Sequence, residues 1–172
     1  MLTRKSGQEE EEEVKRKVLL ESTAFYRKAC EMAENPRGCF MMGMRYATGH
    51  GVDEKNMDRA LKIGAGALNK ACEHRHPAAC FKLAQMLMRG TGVKRDRAQA
   101  FRIFTKSCAL RHMAACTNAG QLAYYGVGTN KDPKAAALLC NVACGDGGQQ
   151  SACDFLKRIY KENPGLSEKE EE

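Results

Sequence analysis

The sequence predicts an all-α fold, a right-handed α-solenoid of disulfide-linked αα-hairpin repeats, and three observations carry that expectation. Cysteines recur in pairs at near-constant intervals, a Gly-x-Gly tripeptide follows three of the four pairs at a fixed distance, and the apolar residues are those helices favour. Of the 172 residues 43% are hydrophobic, but only 6% are aromatic and none is Trp. The core therefore has to be built from Ala, Leu, Met and Cys, a helical palette.

The repeat emerges when the chain is laid against itself. Cys39-Phe40, Cys80-Phe81, Cys116-Thr117 and Cys153-Asp154 take equivalent places, separated by 41, 36 and 37 residues. The first glycine of Gly49-His50-Gly51, Gly90-Thr91-Gly92 and Gly126-Val127-Gly128 lies ten residues after its cysteine. Ten residues make about three helical turns, and glycine can take the positive φ that ends a helix. A polar stretch and an Ala-rich helical segment follow, as in Asp132-Pro133-Lys134-Ala135, where Asp caps and Pro occupies the first helical position. Each unit thus reads helix, glycine turn, helix.

The turn-to-cysteine distance is 15 residues in the second and third units, from Val93 to Cys108 and from Thr129 to Cys144, but 20 in the first, from Val52 to Cys72. The first unit carries an insertion of five, which Gly64-Ala65-Gly66 marks. Periods of this length with two helices each belong to α-solenoids, whose units bury their apolar faces only against neighbours. The resulting organisation is an acidic, disordered tail over 1–13, a repeat body over 14–162, and an acidic tail over 163–172. Full units span about 37–74, 78–111 and 114–145, with half-repeats before and after.

The nine cysteines resolve into Cys30 with Cys39, Cys72 with Cys80, Cys108 with Cys116, and Cys144 with Cys153, leaving Cys140 over. The first of each pair closes one helix and the second opens the next, and two helices joined by a short turn bring such positions within disulfide reach. Zinc is the rival, because Cys72, His74, His76 and Cys80 offer the four ligands of a structural site. The intervals after Cys30 and Cys144 contain no His, however, so the pairing recurs without the histidines and disulfides are expected. A loop closed over about 9 residues stabilises each hairpin by roughly 2.5 kcal/mol in the chain-entropy account. Cys140, one turn before Cys144 on an apolar stretch, reads as a buried unpaired thiol.

Charge and addressing narrow the function classes. Residues 18–167 carry 22 Lys and Arg against 12 Asp and Glu, yet the basic residues are scattered and no nucleic-acid motif accompanies them. A solvated basic surface is the plain reading, no nucleic-acid partner is expected, and peripheral contact with an anionic membrane surface remains open. No apolar run approaches the roughly 20 residues that span a bilayer. The N-terminus shows no secretory h-region, and Glu9 to Glu13 contradict an acid-poor mitochondrial presequence. Stable disulfides need an oxidising compartment, which points to the mitochondrial intermembrane space, or alternatively to a bacterial secreted or periplasmic setting.

No active site is legible. The residues three after Ser6, Ser22, Ser107, Ser151 and Ser167 are Glu, Phe, Leu, Asp and Glu, so no Ser-x-x-Lys nucleophile exists. The glycine turns lack a Walker lysine and a preceding strand. His50, His74, His76 and His112 read as solvated or capping, and Met41, Met42 and Met44 as packing residues. No enzyme activity, catalytic residue, metal or cofactor is expected.

The segment Cys80-Phe81-Lys82-Leu83-Ala84 to Gly90-Thr91-Gly92-Val93, followed by Arg97-Ala98 and Cys108, resembles the Sel-one-like repeat, a relative of the tetratricopeptide repeat. The resemblance covers residues 25–162. Paired cysteines of this kind occur in secreted bacterial cysteine-rich Sel-one-like proteins and in eukaryotic Sel-one-like assembly factors for cytochrome c oxidase, and Ala71-Cys72-Glu73 and Cys116-Thr117-Asn118-Ala119 resemble the latter most. The resemblance implies a non-enzymatic scaffold, an assembly factor or accessory subunit of a respiratory-chain complex, with its subunits as partners. The alternative it leaves is a bacterial protein of signalling or, more remotely, β-lactam hydrolysis.

In such solenoids the first helix of each unit lines a concave face. Offsets three, four and seven from the opening cysteine point inward: Met42, Gly43 and Tyr46; Leu83, Ala84 and Leu87; Ala119, Gly120 and Ala123. The partner-binding groove is then expected from Met41, Arg45 and Thr48, from Lys82, Gln85, Met86 and Arg89, and from Asn118, Gln121, Leu122 and Tyr125. Its amide, basic and adaptable apolar groups suit a protein partner of acidic character.

Overall fold

The computed structural model describes residues 2–32, 35–53 and 55–166, with side chains from Gln8 onward. All regular structure among them is helical, as expected: α1 (Leu2–Met32), α2 (Pro36–Thr48), α3 (Met57–Glu73), α4 (Pro77–Arg89), α5 (Arg97–Ala109), α6 (Met113–Tyr125), α7 (Pro133–Gly145), α8 (Gln150–Glu162) and a 3₁₀ turn (Pro164–Leu166). The chain forms two compact units, Met1–His76 with Thr91–Val93, and Pro77–Gly90 with Lys94–Glu172. In the first, α1 packs on α2 and α2 on α3; in the second, α4 to α8 each pack on the next helix.

Helix starts follow the capping chemistry. Asn35, Asn56, Asp96 and Asp132 hold extended backbone and accept, through their side chains, from the N–H groups of Gly38, Arg59, Gln99 and Ala135. Each satisfies a donor that the first helical turn leaves unpaired. The stops are the glycine turns. Gly49, Gly90 and Gly126 take positive φ, as do Gly51, Gly92 and Gly128. The second glycine of each pair has a further reason: a Cβ there would collide with the carbonyl oxygen of Leu19, Leu61 or Arg97, in the second-type helix 31 or 32 residues earlier. The turn lies directly on that helix's backbone, which no side chain permits.

Residues 2–13, expected from their composition to be a disordered tail, belong to helix α1, which runs from Leu2. The order of charges explains this. Glu11, Glu12 and Glu13 stand four residues before Lys15, Arg16 and Lys17, the orientation in which such pairs support a helix, and Glu11 pairs with Lys15 at 2.8 Å. At the other end Pro164–Leu166 form the 3₁₀ turn, and 167–172 lie outside the described residues.

The insertion of five in the first unit is one residue of loop and one turn of helix. Helix α3 has 17 residues against 13 in α5 and α7, and eight residues separate α2 from α3 where seven separate α4 from α5 and α6 from α7. A whole turn preserves the buried face: Ala60, Gly64 and Leu68 follow one another at four-residue steps where α5 has only Ala100 and Phe104. Counted back from the closing cysteine, Gly64 and Leu68 match Ala100 and Phe104, so the added turn is Met57–Ala60 and Gly64 does not mark it.

Candidate functional site

Three cysteine pairs close as expected, Cys30–Cys39 between α1 and α2, Cys108–Cys116 between α5 and α6, and Cys144–Cys153 between α7 and α8. Their Cα atoms lie 4.5, 4.6 and 4.8 Å apart, within the ordinary disulfide range. Cys72 and Cys80 are disulfide-bonded as well, which removes both thiolates from the zinc reading. Among the described residues no group of three or more His, Cys, Asp and Glu is placed to hold a metal ion.

Cys140 is the free cysteine, fully buried, and burial pushes its thiol up to about 11. Its place in the repeat gives the reason. Four residues before each closing cysteine stand Leu68, Phe104 and Cys140, and four after each opening cysteine stand Gly43, Ala84 and Gly120. A Cβ on Gly43 would come 2.6 Å from Leu68 Cγ, and one on Gly120 2.5 Å from Cys140 Sγ. Cys140 is the side chain that fills the space the opposing helix leaves, a neutral thiol held away from water.

A second repeating contact was not foreseen. The residue after each opening cysteine meets the residue just before the next first-type helix: Phe40 stacks on His76 at 4.6 Å between ring centroids, and Phe81 on His112 at 4.5 Å. In the third unit a hydrogen bond replaces the stack, Thr117 Oγ1 donating to Gln149 Oε1 at 2.9 Å. These two histidines are thus packed rings, in place of the solvated or capping groups expected; His112 makes no side-chain capping bond, and its Nδ1 is buried without a partner. Burial lowers both their pKa values, with Arg37 acting further on His76 and Lys82 on His112. The signal was present in the sequence, since Phe40 and Phe81, and likewise His76 and His112, occupy matching positions.

The expected inward set is buried throughout: Met42, Gly43, Tyr46, Leu83, Ala84, Leu87, Ala119, Gly120 and Ala123. The first unit carries Met41 and Arg45, both half-buried, and exposed Thr48 on α2. The second carries Lys82 and Gln85, half-buried, and exposed Arg89 on α4, with half-buried Asn118 and Gln121 and exposed Tyr125 on α6. Met86 is a correction: it is only 7% exposed. Offset six lies about 60° from offset three around the helix, and a flexible thioether there folds into the core. Leu122, at the same offset, packs partly buried against the cluster of Ala84, Phe104, Ala115 and Ala119. Tyr125 is also less free than expected, since its hydroxyl accepts from Arg158 and its ring meets Tyr124 and Phe155. Asn118 donates to the Ala114 carbonyl of its own helix at 2.9 Å. Arg45, Lys82, Gln85, Arg89 and Gln121 are left to offer polar groups outward.

No sequence among curated proteins matches the chain. Among solved structures it is similar to a Sel1 repeat protein from Oxalobacter formigenes, with a TM-score of 0.71 and 27% identity, covering 86% of this chain and 58% of that one. The chain thus spans little more than half of that relative's length. It is similar also to Helicobacter pylori cysteine rich protein B, with a TM-score of 0.61 and 27% identity over 82% of this chain and 96% of that one. A protective antigen of uropathogenic Escherichia coli displaying an SLR fold shares the fold, with a TM-score of 0.57 and 21% identity over 81% of this chain and 36% of that one. The Sel1 repeat itself matches residues 36–63, 77–112 and 114–147, the spans that hold α2 with the start of α3, α4 with α5, and α6 with α7. With its helix pairs, glycine turns and stapled cysteines in register with those matches, the chain belongs to the Sel1 repeat family.

Proposed function

We propose that this Sel1-repeat protein is a non-enzymatic interaction scaffold that serves as an assembly factor or accessory subunit of a respiratory-chain complex in the mitochondrial intermembrane space, with cytochrome c oxidase as the complex the repeat resemblance implies. The observation that carries the reading is the combination of oxidised cysteine pairs with first-type helices whose outward positions hold amide and basic groups. Oxidised pairs of this density need an oxidising compartment. The outward Arg45, Lys82 and Arg89 favour a partner of acidic character by charge complementarity. Among the described residues no helix is long and apolar enough to cross a membrane, so any membrane contact by these helices would be peripheral, through the basic face.

A second reading is favoured by one observation, the similarity to Helicobacter pylori cysteine rich protein B over 96% of that chain. Under this reading the same scaffold would act in a bacterial secreted or periplasmic setting. Fractionation of the source cells with thiol trapping separates the two. Recovery of the oxidised protein in the intermembrane space, together with capture of oxidase subunits that Arg45→Glu, Lys82→Glu and Arg89→Glu jointly weaken, supports the first reading. Oxidised protein outside mitochondria ends it, and capture unchanged by the three reversals removes the proposed face.

A further inference from the structure

Helix α1 stands in the place of a repeat's second helix, joined to α2 by Cys30–Cys39, with no first-type helix on its other side among the described residues. The consequence is visible residue by residue. Val18 and Phe25 lie twelve and five positions before Cys30, as Ala60 and Ala67 lie before Cys72. Ala60 and Ala67 are 0% and 5% exposed, while Val18 and Phe25 are 57% and 68% exposed. Met32 and Val14 extend the same line at 76% and 62%. Thr23 and Cys30, both buried, lie on the opposite side of the helix, and Cys30 is bonded to Cys39 of α2. This leaves an apolar stripe, interrupted by two charged residues, on one face of a long helix, the kind of exposed surface that marks an interaction site.

The charges within the stripe say what covers it. Glu21 stands one turn before Phe25 and Lys28 one turn after it, on the same face. Both are exposed, and neither forms an ion pair among the described residues. Outward from Phe25 in either direction the order is charge and then apolar residue, with the charge inverted: Glu21 and Val18 on one side, Lys28 and Met32 on the other. A pattern that inverts its charge about a central apolar residue is complementary to itself when turned end for end. At 1.5 Å of rise per residue, pairing two such helices antiparallel about Phe25 brings each Glu21 to about the level of the other copy's Lys28, and Val18 to that of Met32.

We infer that α1 is a self-association surface, and that two copies of this chain form a two-fold symmetric dimer through antiparallel α1 helices centred on Phe25. Isologous pairing of one patch with itself is the commonest arrangement of homo-oligomers. The inference is independent of the scaffold's cellular partner.

Sedimentation equilibrium of the oxidised full chain at low salt tests it, with circular dichroism as the control for folding. The wild type is expected to show a monomer–dimer equilibrium and Phe25→Asp to be monomeric with unchanged helicity. Glu21→Lys alone and Lys28→Glu alone should each raise the dimer Kd at least about tenfold, because each sets like charges opposite one another twice. Mixing the two single variants, or combining both changes in one chain, restores complementary pairs and should restore the dimer. A wild type that stays monomeric, a dimer indifferent to Phe25→Asp, or charge reversals that fail to rescue one another would each overturn the inference.

Discussion

In the α2–α3 hairpin the glycine four residues after the opening cysteine, Gly43, faces Leu68 and the backbone oxygen of Gly64; in α6–α7 its counterpart Gly120 faces the Cys140 sulfur and the Ala136 oxygen. In the hairpin between them Ala84 shares a cluster with Phe104. Each unit places a small residue on its first helix and a larger one on its second, Gly with Leu, Ala with Phe and Gly with Cys, so what recurs at this position is the order of small against larger. Close packing leaves no void, and the larger side chain lies in the space the smaller residue leaves. The same comparison assigns Cys140: it stands where Leu68 and Phe104 stand and does their work. It also accounts for Gly64, which stands where Ala100 and Ala136 stand and is small enough to lie against Ala47 and Gly43.

The largest expected effect is one that should not distinguish the two hairpins. Gly51→Ala and Gly128→Ala combine left-handed strain with collision against a backbone carbonyl, so each should cost about 3 kcal/mol or more in urea unfolding. Clearly unequal losses would show that the two turns are seated differently. Next come the staples. Replacing Cys30 and Cys39 together, or Cys144 and Cys153 together, by Ala should cost roughly 2.5 kcal/mol, since both loops close over a separation of 9 residues. Thiol quantification and unfolding midpoints, read side by side for the two variants, check that equality.

The comparison is sharpest at the glycines themselves. Gly120→Ala should cost about 1–3 kcal/mol by overpacking, and Cys140→Ala in the same chain should recover most of that loss. Gly43→Ala should cost as much, but Leu68→Ala should not rescue it, because it opens a cavity and leaves the Gly64 oxygen 3.0 Å away. A double-mutant cycle on each pair separates the two outcomes. If Cys140→Ala failed to relieve Gly120→Ala, the assignment of Cys140 as the space-filling partner would be lost.

The smallest effect lies in acid. His76 and His112 have folded-state pKa values below the ordinary 6.5, chiefly through burial, so the unfolded chain binds protons first as pH falls. The stability they contribute is complete above pH 6.5 and is lost as pH falls through their lower folded values. The Thr117–Gln149 contact carries no such group. Unfolding measured across this window should flatten in His112→Gln and remain unchanged in Gln149→Ala. A pH slope that survives replacement of both histidines would place its origin elsewhere.

Much of this was legible because the repeat writes the same positions several times. The cysteine pairs, the glycine turns and the inward offsets three, four and seven could each be checked against another unit. Where only one unit carried the information, the reading was weaker. The acidic run Glu9 to Glu13 suggested a disordered tail because its composition was weighed without the basic residues four positions on. Met86 was assigned outward by helical angle alone, although flexible side chains at the edge of a face follow the available space. The Phe–His stacks escaped because contacts across 31 to 36 residues have no period within one helix, and only the alignment of units could have suggested them.

The sequence by itself determined the helices, their caps, the turns and the cysteine partners, since these depend on residues at most a few turns apart, where backbone geometry and spacing are decisive. Only the tertiary structure decided what fills the space beside Gly43 and Gly120, why the second glycine of each turn admits no side chain, and which face of α1 remains uncovered. Those depend on which surfaces meet across a repeat, and packing, unlike local geometry, is set by the partner as much as by the residue.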